Sequence, residues 1–276
     1  MTTTLRPAGP DDRSADGHRA RTYDVCVNSR RVGGIRLTTD PLFGPAAGRI
    51  AALEIDAPDR HRGRATVAAL AAEEVLRGWG CRQIELTVPA DARAALSLAA
   101  ALGYTERSRR LAKPVTAAPQ LPPGSTDRPL SEAAYPVWRE AAVAARTRHL
   151  VQQGMPPEHA ARTSAEGHHA MLPQGPATPG HALRILTHEG SDAGHVWVAL
   201  RMPGHPGGYV VDVQVGEAHR GRGHGRTLLG IAERECRAAG RPGLGLTLHP
   251  GNAPAAGLHA ALGYRPTAHL LHKAIL

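Results

Sequence analysis

The sequence predicts an α/β protein with mixed sheets, built from two copies of one structural unit. A strand leads into a glycine-rich loop and a helix, and a second strand and a second helix follow directly. The whole pattern recurs after 160 positions. A β-loop-α-β-α unit places its strands in one sheet with helices on its faces. The chain has 276 residues, which is enough for two such modules, each with its own core.

The unit is clearest in the second half of the chain. Residues 209–215 are mostly β-branched and predict a strand, and residues 226–239 carry apolar side chains at helical spacing. The loop between them consists of Arg220, Gly221, Arg222, Gly223, His224 and Gly225. A glycine-rich turn before a helix presents unpaired N–H groups and the positive end of the helix dipole. The pattern therefore predicts a site for a phosphate or a diphosphate.

Two common phosphate loops do not fit these residues. The P-loop requires a lysine after its glycines, and none follows here. The dinucleotide fingerprint requires a different glycine spacing and a later acidic residue, where this chain has Arg241. The loop instead resembles the acyl-CoA signature of the GNAT acyltransferases, Arg/Gln-x-x-Gly-x-Gly/Ala. The chain that follows resembles the family's closing motif, through Asn252, Ala255, Leu258, Leu262, Gly263 and Tyr264.

The same signature occurs in the first half of the chain, at Arg60, Gly63 and Ala65. A constant offset of 160 aligns the two copies over about 50 positions without a gap. The pairs include Arg60 with Arg220, Gly63 with Gly223, Glu73 with Glu233, Leu98 with Leu258, and Tyr104 with Tyr264. We therefore expect two tandem GNAT folds.

The two copies are unequal in length. The polar residues 1–20 are expected to form a flexible tail, and residues 21–113 a degenerate first copy. Residues 114–129 contain five prolines and predict a linker to the second copy, residues 130–276.

Two helical stretches, residues 131–153 and 156–172, precede a predicted hairpin in the second copy only. The resemblance implies that these helices form much of the acceptor pocket. The truncated first copy is therefore expected to be structural and the second catalytic.

Transfer of an acyl group from a thioester to an amine requires a phosphate cradle, a polarised carbonyl, a base and an acid. The resemblance places the cradle at residues 220–225 and assigns backbone amides near Val213 and Val215 to the pantetheine and the carbonyl. It also makes Asn252 a candidate for cofactor binding. His259 stands where the family often has a tyrosine that acts as the general acid. Histidine can donate a proton near neutral pH, but a packing role is an equal alternative.

The general base is less certain from the sequence. Gln214 stands where the family often has a glutamate, and an amide cannot accept a proton at working pH. Asp212 lies two residues earlier, on the same face of the strand, and is the next candidate. A water relay or a neutral amine would make a strong base unnecessary. Glu54 in the first copy keeps the carboxylate that Gln214 lacks.

Composition limits the class of protein. The three cysteines are widely separated, which argues against a disulfide framework and fits a reducing cytosol. The 16 histidines lack metal-ligand spacing, so no metal is predicted. No apolar run suggests a membrane span or a signal peptide. The net charge of +9 indicates either polyanionic partners or the arginine-rich composition of a GC-rich bacterial genome.

Three functions follow from these observations. The first is an acyl-CoA-dependent N-acyltransferase, most simply with acetyl-CoA, that acts on a small-molecule amine. The second uses a donor on a carrier protein or a tRNA, which the arginine clusters at residues 60–64 and 107–110 would bind. The third is a non-catalytic CoA-binding module. The sequence leaves the acceptor and the oligomeric state open.

Overall fold

The computed structural model describes residues 3–275, which fall into two compact units. Unit 1 contains the described residues up to 109 together with residues 267–275, and unit 2 contains residues 110–266. The end of the chain therefore belongs to the first unit. No helix among the described residues is both long and apolar enough to cross a membrane.

The described residues form thirteen strands and six α-helices. In chain order they are β1 (Thr3–Pro7), β2 (Asp12–Arg13), β3 (Arg19–Val27), β4 (Arg30–Asp40), β5 (Gly44–Ile55), α1 (Arg64–Gly78), β6 (Gln83–Pro89), α2 (Arg93–Ala101), β7 (Thr105–Pro114), β8 (Ser125–Pro129), α3 (Tyr135–Gln152), α4 (Pro157–Met171), β9 (His181–His188), β10 (Ser191–Ala199), β11 (Gly208–Val215), α5 (His224–Ala238), β12 (Gly243–Leu248), α6 (Ala253–Ala261) and β13 (Arg265–Ala274).

Unit 1 contains a mixed sheet in the order β1-β3-β4-β5-β6-β13, with β2 paired to β3. Only the β5–β6 pair is parallel in this order; the other pairs are antiparallel. Leu76 of α1 packs with Ile35, Leu37 and Ile84 of the strands in a fully buried cluster. Helix α1 thus covers one face of the sheet and holds its own N-terminus beside the end of β5.

Unit 2 repeats this arrangement in the order β7-β12-β11-β10-β9-β8, where β11–β12 is the parallel pair. Leu228, Leu229 and Ile231 of α5 pack against the sheet. Two helices, α3 and α4, stand between β8 and β9, whereas unit 1 has only residues 8–18 between β1 and β3. The predictions of an α/β fold with two tandem copies and a truncated first copy are thus confirmed.

Two predicted segments differ from the structure. Part of the predicted flexible tail forms β1, which pairs with β3 from Thr3 to Pro7, and Leu5 packs against the core of unit 1. Part of the predicted linker forms β8, which pairs with β9. Both strands carry few apolar side chains because they lie at sheet edges, so the polar composition hid them.

The parallel strands of each unit pair over only three residues. The pairing of β5 with β6 covers Ala47–Arg49, and that of β11 with β12 covers Gly208–Val210. Beyond these pairs, the register against the preceding strand skips Ala51 in β5 and Val211 in β11. A β-bulge of this kind bends a strand away from its neighbour. Each unit therefore contains a gap between two strand ends, directly before its glycine-rich loop.

Each unit contains an ion pair between a strand and the helix that follows the glycine-rich loop. In unit 1, Lys273 of β13 donates to Glu73 of α1 at 2.7 Å, and in unit 2, Lys113 of β7 donates to Glu233 of α5 at 2.9 Å. Each ammonium also lies over a buried tyrosine ring, Tyr104 or Tyr264. These pairs join β13 to α1 in unit 1 and β7 to α5 in unit 2.

Candidate active site

The glycine-rich loop of unit 2 begins directly after β11. A 3-10 turn, Glu217–His219, leads into the loop, and α5 follows with Gly223 as its N-cap residue. Gly221 and Gly223 have φ values of 75° and 84°, which only glycine adopts readily. No other atom lies within 4 Å of where a side chain would begin at either glycine, so the loop surface is open. The N–H groups of the first helical turn have no intrahelical acceptors and are available to an anion.

The charges on this loop are not neutralised. Arg220 and Arg222 are exposed, and within residues 3–275 neither forms an ion pair with a carboxylate. Two free guanidinium groups beside a helix N-terminus fit a diphosphate, because charge-assisted hydrogen bonds add to the backbone donors.

The corresponding loop of unit 1 has the same backbone but a different interior. Gly63, with φ 71°, is the N-cap residue of α1. Asp59 is buried, accepts two hydrogen bonds from Arg30 at 2.8 and 2.9 Å, and also forms an ion pair with buried Arg64. Arg60 donates from Nε to the carbonyl oxygen of Ile55 at 2.8 Å. Arg60 and Arg64 of this loop are thus held by groups of the protein, whereas Arg62 is exposed.

In unit 2, the positions that correspond to Asp59 and Arg64 are occupied by the histidines His219 and His224. His224 is buried, with ring centroids 4.8 Å from His188 and 5.9 Å from His219. Burial, together with the positive charge of His188, His219 and Arg222, lowers the pKa of His224. His224 is therefore neutral near pH 7, so its side chain adds no positive charge to the loop.

The strand before the loop presents two different faces. Val213 and Val215 pack with the core that contains α5, whereas Val211 packs with Trp197 on the opposite face. Because of the bulge, Val211 and Asp212 share that opposite face. Gly225 lets the first turn of α5 lie close to α6, since a side chain added at this position would lie 3.2 Å from Leu258.

A histidine-carboxylate pair lies on that opposite face. His195 of β10 contacts Asp212 of β11, with 2.7 Å between Nε2 and Oδ2, and both side chains are partly buried. An ionised Asp212 holds the proton on Nε2 and leaves Nδ1 as a proton acceptor. The ring of His195 also meets Trp138 edge-on, with centroids 5.7 Å apart. This arrangement is suited to a general base.

Sequence reasoning identified Asp212 but missed His195. The two residues are 17 positions apart and meet only because β10 and β11 pair with His195 opposite Gln214. One signal was present: a histidine lies directly before the buried apolar run Val196–Ala199 of the same strand.

Aromatic side chains from α3, α4 and β10 surround this face. The centroid of Trp138 is 5.8 Å from that of Trp197 and 5.6 Å from that of His168. Burial and the nearby charge of Arg139 lower the pKa of His168, and neither of its buried ring nitrogens has a hydrogen-bond partner. The helices present only in unit 2 therefore supply an apolar wall beside the His195–Asp212 pair.

The structure places the remaining predicted residues as follows. Gln214 is exposed on β11, and Glu54, its counterpart in unit 1, is exposed on β5 with 3.9 Å between its carboxylate and Arg60. Asn252 is the N-cap residue of α6, where its side-chain oxygen accepts from the N–H of Ala255 at 3.1 Å. Ala92 at the same position in unit 1 makes no such bond.

His259 lies inside unit 2. Only 6% of this residue is exposed, its ring centroid is 5.5 Å from that of Tyr264, and its Nδ1 has no hydrogen-bond partner. Burial lowers the pKa of His259. The imidazolium form is therefore disfavoured near pH 7.

The described residues contain no group of three or more His, Cys, Asp or Glu side chains that could hold a metal ion.

A family model and several solved structures resemble the chain. The model described as "Acetyltransferase (GNAT) family" matches residues 3–104 and 152–264. A tandem GNAT protein from the clavulanic acid biosynthesis pathway is 18% identical, with 94% of this chain and 83% of that chain covered and a TM-score of 0.55. A GCN5-related N-acetyltransferase from Sphaerobacter thermophilus is 17% identical, with 92% and 80% covered and a TM-score of 0.60.

A GCN5-related N-acetyltransferase from Kribbella flavida is 16% identical, with 88% of this chain and 87% of that chain covered and a TM-score of 0.51. Among curated proteins, none matches the chain. At these identities the structures show the fold alone, whereas the family model covers most of the sequence. The chain therefore belongs to the GNAT acetyltransferase family, as an acyl-CoA-dependent N-acetyltransferase with two tandem GNAT folds.

Proposed function

We propose that the chain transfers an acyl group, most simply acetyl, from an acyl-CoA to a small-molecule amine, and that both substrates bind in unit 2. One observation carries this proposal. The loop of unit 2 keeps Arg220 and Arg222 free of carboxylates beside an open helix N-terminus, while Asp59 of unit 1 binds two arginines internally. A dianionic diphosphate requires the former arrangement.

The donor would lie along the gap between β11 and β12. Arg220 and Arg222 would bind the diphosphate together with the N–H groups of residues 221–225. The backbone of Val213 and Val215, which has no partner strand on the β12 side, would hold the pantetheine and polarise the thioester carbonyl. Asn252 uses its oxygen to cap α6, so only its amide nitrogen would serve the cofactor.

His195 would act as the base. Its Nδ1 would take a proton from the ammonium group of the acceptor, and Asp212 would stabilise the imidazolium ion that results. The free amine then attacks the carbonyl carbon, the C–S bond breaks as the amide forms, and the second proton of the attacking nitrogen passes to water. Gln214 stands across from His195 and would orient the acceptor by hydrogen bonding.

The departing CoA thiolate would be protonated by His259 or by water. Because burial lowers the pKa of His259, an acid role for this residue would be confined to low pH. A thiolate with an ordinary pKa of about 8.5 takes a proton from water readily near neutrality. His259 would otherwise pack against Tyr264.

Calorimetry with acetyl-CoA tests the assignment to unit 2. Gly223→Trp should abolish binding, because it puts a bulky side chain at the open loop and strains a left-handed position. Gly63→Trp makes the same change in unit 1 and should leave binding unchanged. Circular dichroism would show that both variants are folded. Binding that survives Gly223→Trp, or is lost only in Gly63→Trp, would remove the basis of the proposal.

The alternative donor, on a carrier protein or a tRNA, receives less support. Two arginines of the clusters that motivated it are buried in ion pairs, Arg64 with Asp59 and Arg107 with Glu85. Salt-sensitive retardation of tRNA in a gel would favour this alternative. A non-catalytic CoA-binding role predicts binding without turnover on a panel of amines. A cytoplasmic location stays a prediction.

A further inference from the structure

Unit 1 contains a cavity of about 660 Å³ that the acyl-transfer proposal does not use. Its lining residues come from residues 12–20, from β4 and β5, and from β6; they are Asp12, Arg13, Ser14, His18, Arg19, Ala20, Thr38, Thr39, Pro41, Arg49, Ile50, Ala51 and Thr87. A volume of this size is typical of sites for small molecules. The loop Arg60–Ala65 contributes nothing to this wall, so the cavity is not the phosphate cradle of unit 1.

The cavity exists because unit 1 lacks two helices. Val211 in unit 2 packs in the cluster that includes Tyr135, Trp138 and Met171 of α3 and α4. Its counterpart Ala51 instead lines the cavity, and β2 with the turn after it stands where the helices are missing. The truncation that removes an acceptor pocket of the usual kind thus leaves a different concave surface.

The charge of this surface is positive. Three guanidinium groups and one carboxylate, that of Asp12, line it, and the guanidinium groups of Arg13 and Arg19 share the carboxylate of Asp11 at 2.9 and 2.6 Å. Arg49 donates to the hydroxyl of Thr87 at 2.8 Å and, within the described residues, forms no direct ion pair. Its charge also acts on Glu85, whose pKa burial raises to about 7 against the charges of Arg107 and Arg49. A guanidinium with donors left over, on a concave wall, is suited to an oxyanion.

The polar wall is held in place by fixed contacts. The hydroxyl of Thr39 accepts from the N–H of Arg19 at 2.9 Å and lies 3.1 Å from Nδ1 of His18. The guanidinium of Arg19 lies over the ring of Trp79, 4.3 Å from its centroid. Such preorganisation lowers the entropy cost of binding.

We propose that this cavity binds a small organic anion whose carboxylate or phosphate pairs with Arg49. The short apolar side chains of Ala20, Pro41, Ile50 and Ala51 would contact the uncharged part of the molecule. The site is independent of the acyl-CoA site proposed in unit 2 and gives the truncated unit a ligand of its own.

Fluorine NMR of the intact protein, labelled with 5-fluorotryptophan, tests the proposal. Trp79 stacks against the cavity wall, whereas Trp138 and Trp197 lie in unit 2, and Trp79→Phe assigns the resonances. Succinate, glycerol 3-phosphate and inorganic phosphate are titrated against sodium chloride of equal ionic strength. We expect a saturable shift of the Trp79 resonance with at least one oxyanion and none with chloride. The anion that acts distinguishes a carboxylate ligand from a phosphate ligand.

Matched charge variants complete the test. Arg49→Gln should weaken the response about tenfold or more, since it removes a charged hydrogen-bond donor. Arg36→Gln removes the same charge from an exposed position outside the cavity and should have no effect. Gly223→Trp should also have no effect, which separates this site from the acyl-CoA site. Should Arg49→Gln fail to fold, Arg49→Lys replaces it and should also weaken the response, because an ammonium cannot pair bidentately with a carboxylate or a phosphate.

No saturable shift with any of the three anions, or equal affinity in Arg49→Gln and the unmodified protein, would overturn the proposal. A response lost equally in Arg36→Gln would do the same, because it would show a general charge effect.

Discussion

The loops of unit 1 and unit 2 share a backbone and differ in what neutralises their charge. Gly63 and Gly223 both begin a helix from a left-handed conformation. Beneath the first loop, however, buried Asp59 holds Arg30 and Arg64, whereas His219 lies at the same position in unit 2. Under the proposed function, a glycine-rich turn alone does not make an anion site. The arginines must also be left without internal partners.

The largest expected difference between the units is catalytic. His195→Ala and Asp212→Asn should each lower kcat about 10²-fold or more, because a positioned base contributes on that scale. The KM for acetyl-CoA should change little. The measurement is steady-state kinetics with any amine that turns over, and Glu54→Gln in unit 1 is the control. Full activity of Asp212→Asn would exclude this pair as the base.

The lysine–glutamate pairs test which unit β13 and β7 each stabilise. Lys273→Met should reduce the stability of unit 1 by about 3 kcal/mol, because it leaves Glu73 buried without its partner. Hydrogen exchange should show faster exchange in α1 and unchanged exchange in α5. Lys113→Met should give the reverse pattern through Glu233. An effect of Lys273→Met on α5 alone would contradict the assignment of β13 to unit 1.

Replacing the first arginine of each loop should have an effect of intermediate size on acetyl-CoA binding. Arg220→Gln should weaken acetyl-CoA binding about tenfold, because it removes one charge-assisted contact to a phosphate. The dependence of binding on salt should also become shallower. Calorimetry at two salt concentrations measures both quantities. Arg60→Gln should change neither, and equal losses in the two variants would show that both loops bind the donor.

The smallest expected effect concerns the helix caps. Asn252→Ala should cost about 1 kcal/mol of stability in α6, since it removes the side-chain bond to the N–H of Ala255. Ala92→Asn offers α2 the same bond and should stabilise it by up to a similar amount. Hydrogen exchange in the two helices measures the changes. If Asn252→Ala instead weakened acetyl-CoA binding without affecting α6, Asn252 would be a cofactor ligand first.

The elements with strong patterns were predictable from the sequence. The helix after each glycine-rich loop and the strand before it follow from apolar periodicity, and the constant offset identified the duplication. Strands β1, β7, β8 and β13 were not predicted. Their sequences, such as residues 105–114 with three arginines and a lysine, are too polar to suggest a strand, and only their neighbours in the sheet define them.

The residues of the proposed phosphate loop are contiguous, so this loop could be predicted from the sequence. Only one of the two residues of the proposed base could be predicted from the sequence. Asp212 follows from strand alternation, but His195 depends on the register between two strands and on a bulge at Val211. The internal neutralisation of the first loop was hidden for the same reason, since Asp59 and Arg30 are 29 positions apart.

The membership of β13 in unit 1 affects how the protein emerges from the ribosome. Domains usually fold in the order in which they are synthesised. Here the edge of β6 remains without its neighbour until residues 268–274 have been translated, long after the rest of unit 1 is complete. The nascent first unit thus exposes an unpaired strand edge during synthesis of the whole second unit, which makes that interval the time of greatest exposure to aggregation or to chaperones.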